Sequence, residues 1–203
     1  MSALTFFTVS YIELMPTAAD AVAAILRERL DEGSHDPART RIEAMRRIER
    51  PNQLVLLAAW EDEALFRAEG VPALTQIDEA LTETLAAPID TREHHPLAAP
   101  AAGAPTVASI TAVTHVDVIP QHKDAGVEAL QELAAASRPQ PGNVRFEVWQ
   151  QTNRGNHFTM IETWSTRRRF DAHLMAADTR EFRSKLAVMT GALYDERLYR
   201  LLT

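Results

Sequence analysis

Asn156-His157-Phe158-Thr159-Met160-Ile161-Glu162-Thr163-Trp164 stands 104 residues after Asn52-Gln53-Leu54-Val55-Leu56-Leu57-Ala58-Ala59-Trp60, and both runs open on Asn and close on Trp. The same gapless spacing pairs Val9 with Val113, Pro16 with Pro120, Asp20 with Asp124, Leu26 with Leu130, Glu28 with Glu132, Pro37 with Pro141, Glu43 with Glu147, Arg50 with Arg154 and Phe66 with Phe170. A one-residue insertion then moves the spacing to 105 and pairs Leu81 with Leu186, Asp90 with Asp195 and Arg92 with Arg197. Offsets that hold in order over so many positions mark a duplicated domain. The boundary falls in Pro96–Pro105, an Ala-rich stretch whose prolines prevent a continuous helix and favour an extended connector. The first copy is therefore expected at 1–95, the linker at 96–105 and the second copy at 106–203.

Working outward from the quoted run, each copy gives the same series of local signals. Val113, His115 and Asp117 alternate with Thr114, Val116 and Val118, which predicts a strand ended by Pro120. Gln121–Ser137 places Val127, Leu130 and Leu133 on one helical face, as Val22, Leu26 and Leu30 do earlier. Pro141-Gly142 marks a turn, and Asn143–Thr152 with His157–Trp164 predicts a hairpin around Asn153-Arg154-Gly155-Asn156, where Gly and Asn suit positive φ. Helical stretches over 166–176 and 179–193 and a last strand near 194–201 complete β-α-β-β-α-β with a split second helix. That order specifies an α+β fold of two tandem ferredoxin-like domains, each with helices on one sheet face only, because the crossover is right-handed. The other face exposes apolar strand surface at a cost of roughly 25 cal/mol per Å². Sheet-to-sheet packing of the copies, made intramolecular by fusion, is expected to remove it and give an intramolecular dimeric α+β barrel.

Composition narrows the function. The apolar content of 46% supplies a core, yet no apolar run approaches the roughly 20 residues that span a bilayer. The N-terminus lacks the pattern of a secretory signal, so a cytoplasmic location and no membrane partner are expected. With no cysteine, disulfides, thiolate nucleophiles and cysteine metal sites are excluded. A formal charge of −7 argues against nucleic acid as a partner, and Arg167-Arg168-Arg169, the one dense basic run, reads as a solvated helix start. His35, His94 and His95 have no companion at ligand spacing, so no metal is expected.

The run Asn156–Trp164, followed by Phe170 and His173, resembles the N-x-F-x-x-x-E-x-W…F-x-x-H signature of the antibiotic biosynthesis monooxygenase (ABM) family. With Val113–Pro120 and the Leu193–Arg197 ending, the likeness spans the second copy. The first copy keeps Asn52, Trp60 and Phe66 but has Ala58 in place of Glu162 and Glu69 in place of His173, a degenerate motif. The resemblance implies dimeric α+β barrels, several of which oxidise quinols or aromatic polyketides with O₂ and neither metal nor flavin. The implied partners are a small aromatic substrate and O₂, with no cofactor; whether two fused chains pair again as a homodimer stays open. A haem-degrading relative would carry Asn on the first strand and His in the last helix, where this chain has His115 and no histidine over 179–190.

Read residue by residue, Phe158, Met160, Glu162 and Trp164 share one strand face, which sets a carboxylate among aromatic and thioether groups. The plain reading of Glu162 is a structural ion pair with Arg145 or Arg197, or a backbone cap; the functional one is a perturbed group lining a substrate pocket. Trp164 serves either as core or as pocket wall and hydrogen-bond donor. His115, mid-strand, and His173, one helical turn beyond Phe170, are the titratable candidates, since an imidazole with an ordinary pKa near 6.5 accepts a phenol proton at neutral pH. Arg183 joins Trp164 as a candidate for holding developing negative charge. Asn156 reads as a turn former first and a motif residue second. The expected catalytic set is His115, His173 and Trp164, with Glu162, Phe158, Met160, Asn156 and Arg183 toward the substrate. A small-molecule-binding protein without turnover is the alternative.

Overall fold

The structure, a computed structural model, describes residues 4–32, 40–98 and 103–202, for 27–32 the backbone alone. His35, Pro37, the side chains of Glu28 and Leu30, and linker residues 99–102 therefore lie outside the described parts. The chain divides into two compact units, Met1–His94 with Leu201–Thr203, and His95–Arg200.

In the first unit, β1 (Phe6–Glu13) leads through a short 3₁₀ turn at Pro16–Ala18 into α1 (Ala19–Glu32), β2 (Thr40–Arg47) and β3 (Gln53–Trp60). After them α2 (Glu63–Leu65) runs through a π turn at Phe66–Gly70 into α3 (Val71–Leu81), and β4 (Asp90–Ala98) follows. All pairings are antiparallel: β1 lies between β3 and β4, and β2 borders β3, the order β4-β1-β3-β2. Ile12, Leu14, Ala44, Leu54 and Leu56 pack against Val22 and Leu26 of α1 and Leu81 of α3. These strand positions are spaced by two, so the helices cover one face, as the crossover requires. The other face is buried as well: Val9, Met45, Val55 and Ala59 are each 0% exposed.

The second unit repeats the plan with β5 (Ile110–Asp117), α4 (Lys123–Ser137), β6 (Asn143–Gln151), β7 (His157–Trp164), α5 (Arg167–Leu174), α6 (Ala177–Ala187) and β8 (Asp195–Leu201). Its sheet order is β8-β5-β7-β6, again antiparallel throughout. Val116, Phe146, Val148, Phe158 and Met160 form the helix-side core with Leu130, Leu133, Phe182 and Leu186. The α+β class and the two ferredoxin-like sheets are those expected from the sequence, and no described helix is long and apolar enough to cross a membrane.

Three local expectations change. The strand β4 runs to Ala98, into the predicted linker. Proline fixes φ at a value extended backbone accepts, so Pro96 need not end a strand. The helix predicted from Gln121 starts at Lys123, after a 3₁₀ turn at Pro120–His122. The hairpin between β6 and β7 forms, but not with the positive φ expected at Gly155 or Asn156; among the described residues Gly142 alone has one, +88°. A loop of this length reverses the chain without the left-handed residues a two-residue turn demands, and Gln150 Nε2 donating to the Gly155 carbonyl at 2.5 Å closes it.

Candidate active site in the second unit

The end of β7 and the start of the helix after it build the site. Thr166 caps α5 with its hydroxyl accepting from Arg169 N at 3.3 Å, which fixes the helix directly behind the strand. Phe170 and His173, one turn apart, then both face the sheet and are buried. Across the sheet, Glu162 is flanked by Phe146 of β6 and Ala112 of β5. The small Ala112 leaves the carboxylate free to rise toward the helix.

There Glu162 Oε2 meets His173 Nε2 at 3.2 Å and accepts from Trp164 Nε1 at 3.3 Å. The imidazole stacks on Trp164 at 4.6 Å between centroids, 25° from parallel, and Phe146 meets its edge at 6.0 Å. On its other side Nδ1 lies 3.0 Å from Gln140 Oε1 and 3.3 Å from the Thr179 hydroxyl. The His173 and Glu162 side chains are only 1% and 3% exposed. The contact is bridged by one hydrogen, donated by Nε2–H of the imidazole to the carboxylate or by a carboxylic acid to Nε2. A buried imidazole and carboxylate in contact beside an aromatic wall can accept and donate protons.

Arg183 of α6 lies over the Tyr194 ring at 5.5 Å and 3.6 Å from Glu196 Oε2 on β8. Burial, then the charges of Glu162 and Glu196, push the Tyr194 phenol well above its ordinary range, although Arg183 opposes this by charge and hydrogen bond. Tyr194 therefore stays protonated at neutral pH. Burial and the Glu162 charge likewise raise the Glu196 carboxyl, against the pull of Arg183, His173 and Arg167.

Glu162, Trp164 and His173 thus converge, with Arg183 at the outer end, but His115 does not join them. Register pairs His115 with Thr159, and its Nδ1 lies 3.1 Å from the Thr159 hydroxyl, on the sheet face opposite to Glu162. Glu162 takes neither Arg145 nor Arg197 as partner: Arg197 holds Asp195 at 2.6 Å, and Arg145 stands on the His115 face. Phe158 and Met160 share the face of Glu162 but lie in the helix-side core. Asn156, six residues and about 20 Å from Glu162 along the strand, ties the hairpin by donating to the Val118 carbonyl at 2.6 Å. Asn52 does the same for Leu14 at 3.0 Å, so the shared Asn is structural in both units. Sequence reading missed Gln140, Thr179, Tyr194 and Glu196; the Pro-Gln-Pro context of Gln140 was the one local hint of an immobilised side chain.

The corresponding place in the first unit is filled. Trp60 Nε1 donates to the Thr8 hydroxyl at 3.2 Å, and Phe66 lies 5.5 Å from Trp60 and 5.4 Å from Phe6. Gly70 of the π turn presses on Phe66 and Trp60, leaving no room for a side chain, while Glu69 is exposed. Arg67, over Phe66 at 5.1 Å and held by Glu93 and Glu63, closes the outside.

Residues 109–185 match the family model described as antibiotic biosynthesis monooxygenase. No curated protein matches the chain in sequence. Among solved structures, a candidate monooxygenase of Fusobacterium nucleatum is similar over 100% of this chain and 94% of its own, with a TM-score of 0.86 at 12% identity. One from Lactobacillus acidophilus is similar over 98% and 95%, at 0.79 and 11%. A major regulator of staphylococcal pathogenesis also aligns over 97% of this chain and 98% of its own, at 0.64 and 9%. Identities this low establish a shared fold, and one fold here carries different functions.

Proposed function

We propose that the second unit, whose residues 109–185 match the antibiotic biosynthesis monooxygenase family model, oxidises a hydroxylated aromatic or quinol with O₂, using His173 and Glu162 as proton acceptor and Trp164 as the wall that holds them. The single observation that carries this reading is the buried Nε2–Oε2 contact at 3.2 Å under Trp164. A phenol entering past Arg183 gives its proton to the pair, and the resulting anion is the electron donor to O₂. Arg183, 42% exposed on its side chain, is the cation available to the developing negative charge. Trp164 contributes stacking rather than a free donor, since its N–H is committed to Glu162.

Oxygen uptake with a panel of quinols and polycyclic phenols, in buffer stripped of metals and flavins, tests this. Uptake that falls by about 10²-fold or more in Glu162→Gln and His173→Ala is expected; no uptake across the panel, or full uptake in both variants, overturns it. The second reading is a protein that holds such a ligand without turning it over. It is favoured by His173 having a partner for each ring nitrogen and almost no exposure. Native mass spectrometry that finds an unmodified aromatic ligand retained, with no oxygen consumed, selects it.

A further inference from the structure

The Glu162–His173 pair is almost entirely buried, so a proton exchanged with it must cross to solvent through other groups. On the helix-side sheet face, register places Thr114 of β5 opposite Met160, one step from Glu162, and opposite Glu196 on its other side. Directly opposite side chains lie about 4.5–5.5 Å apart at Cβ and diagonal ones about 7–8 Å. Thr114 therefore stands between the two carboxylates. Its Oγ1 and Glu196 Oε2 are both buried and without a hydrogen-bond partner, although Thr114 is 0% exposed and such groups are normally satisfied. The Glu196 side chain is 20% exposed, with its Oε2 buried and 3.6 Å from Arg183.

The first unit supplies the contrast. The positions equivalent to Thr114 and Glu196 are Ser10 and Thr91, also register partners, and their hydroxyls hydrogen-bond each other at 2.8 Å. That neutral, closed pair accompanies a site without a carboxylate. Where Glu162 is present, the pair is instead a hydroxyl and a carboxyl that do not hydrogen-bond each other, the carboxyl's Oε2 lying 3.6 Å from Arg183.

We infer that Thr114 and Glu196 form the proton outlet of the Glu162–His173 pair, Thr114 relaying and Glu196 exchanging with water. A hydroxyl accepts at one lone pair and donates its own hydrogen, so one proton leaves Glu162 or His173, one arrives on Glu196, and Thr114 is unchanged. Glu196 then releases its proton to solvent. The groups that face it are Glu162 on β7, His173 and Arg167 on α5, Arg183 on α6 and Tyr194 ahead of β8. The outlet does not depend on which substrate the pair serves.

The test is solvent exchange of the His173 imidazole proton, followed by ¹⁵N NMR in the ligand-free full chain, across Thr114→Val, Thr114→Ser, Glu196→Gln and Glu181→Gln. Exchange slowed by about tenfold or more in Thr114→Val and in Glu196→Gln, restored in Thr114→Ser and unchanged in Glu181→Gln, is expected. Thr114→Val keeps shape and burial, so a structural role alone would not separate it from Thr114→Ser. Unchanged exchange in Thr114→Val or Glu196→Gln, each folded by its amide spectrum, overturns the outlet. Oxygen uptake measured on the same variants reads separately: absent uptake with slowed exchange defeats oxygenation and leaves the outlet standing.

Discussion

Trp60 and Trp164 end equivalent strands and carry the same side chain, yet one sits in a hydrocarbon plug and the other against a carboxylate and an imidazole. In the first unit Trp60 donates to Thr8 and packs on Phe66, with Gly70 pressed against both rings. In the second, Trp164 donates to Glu162 and stacks on His173. The local cause is the helix after the strand. The first unit runs continuously through a π turn at Phe66–Gly70, whereas the second stops α5 at Leu174 and restarts α6 at Ala177. The break lets His173 sit at the end of its own short helix, with Thr179 of the next within reach of its ring. A π turn adds a residue to one helical turn, and here it brings a glycine to the Trp in place of a side chain. One duplication thus yields one unit whose site is packing and one whose site retains acid–base groups.

The difference can be broken most forcefully from either side. Phe66→Ala should cost about 3–5 kcal/mol, because an aromatic plug leaves a cavity that the surrounding rings only partly fill; denaturant unfolding measures it. His173→Leu should cost a similar amount, about 3–5 kcal/mol, by leaving the buried Glu162 carboxylate unpaired. Adding Glu162→Ala, the residue the first unit has at Ala58, should recover part of that loss. A double variant less stable than His173→Leu would mean that the pair is not coupled. Next in size, Thr8→Val should cost about 1–3 kcal/mol by orphaning the buried Trp60 N–H. Asn52→Ala and Asn156→Ala should each cost about 1 kcal/mol and nearly the same in both units, since each ties one hairpin to one carbonyl; a clearly larger activity loss for Asn156→Ala would return that residue to the site.

The smallest effect is pH-linked. Glu196 has a folded-state pKa above its ordinary 4.5, so folding favours its protonated form. The stability it contributes is fully present below about pH 4.5 and is lost as pH rises through the folded value. Glu196→Gln stays neutral throughout, so the variant's Tm relative to the parent should rise from pH 4.5 upward. A difference that stays flat across that range would show that the carboxyl is not held protonated by its surroundings.

Much of this was legible in residues alone. The 104-residue spacing fixed the number of units, and alternation along Phe158–Trp164 put Glu162 and Trp164 on one face. The step of three from Phe170 turned His173 toward the sheet. What misled was His115, grouped with His173 because both are mid-element imidazoles near the motif. Alternation gives two strand faces without saying which the helices cover, and pairing across β5 and β7 set His115 beside Thr159 instead. Glu196 and Thr114 were invisible for a related reason, as their opposition exists only once β8 lies beside β5.

Period, spacing and proline placement act along the chain, and through them the sequence alone determined two α+β units and the residues each strand face would carry. Which faces met helices, which carboxylate found an imidazole, and which unit closed over its tryptophan were decided by tertiary structure. Those outcomes depend on strand register and on where a helix breaks, and both are settled by packing between segments distant in sequence.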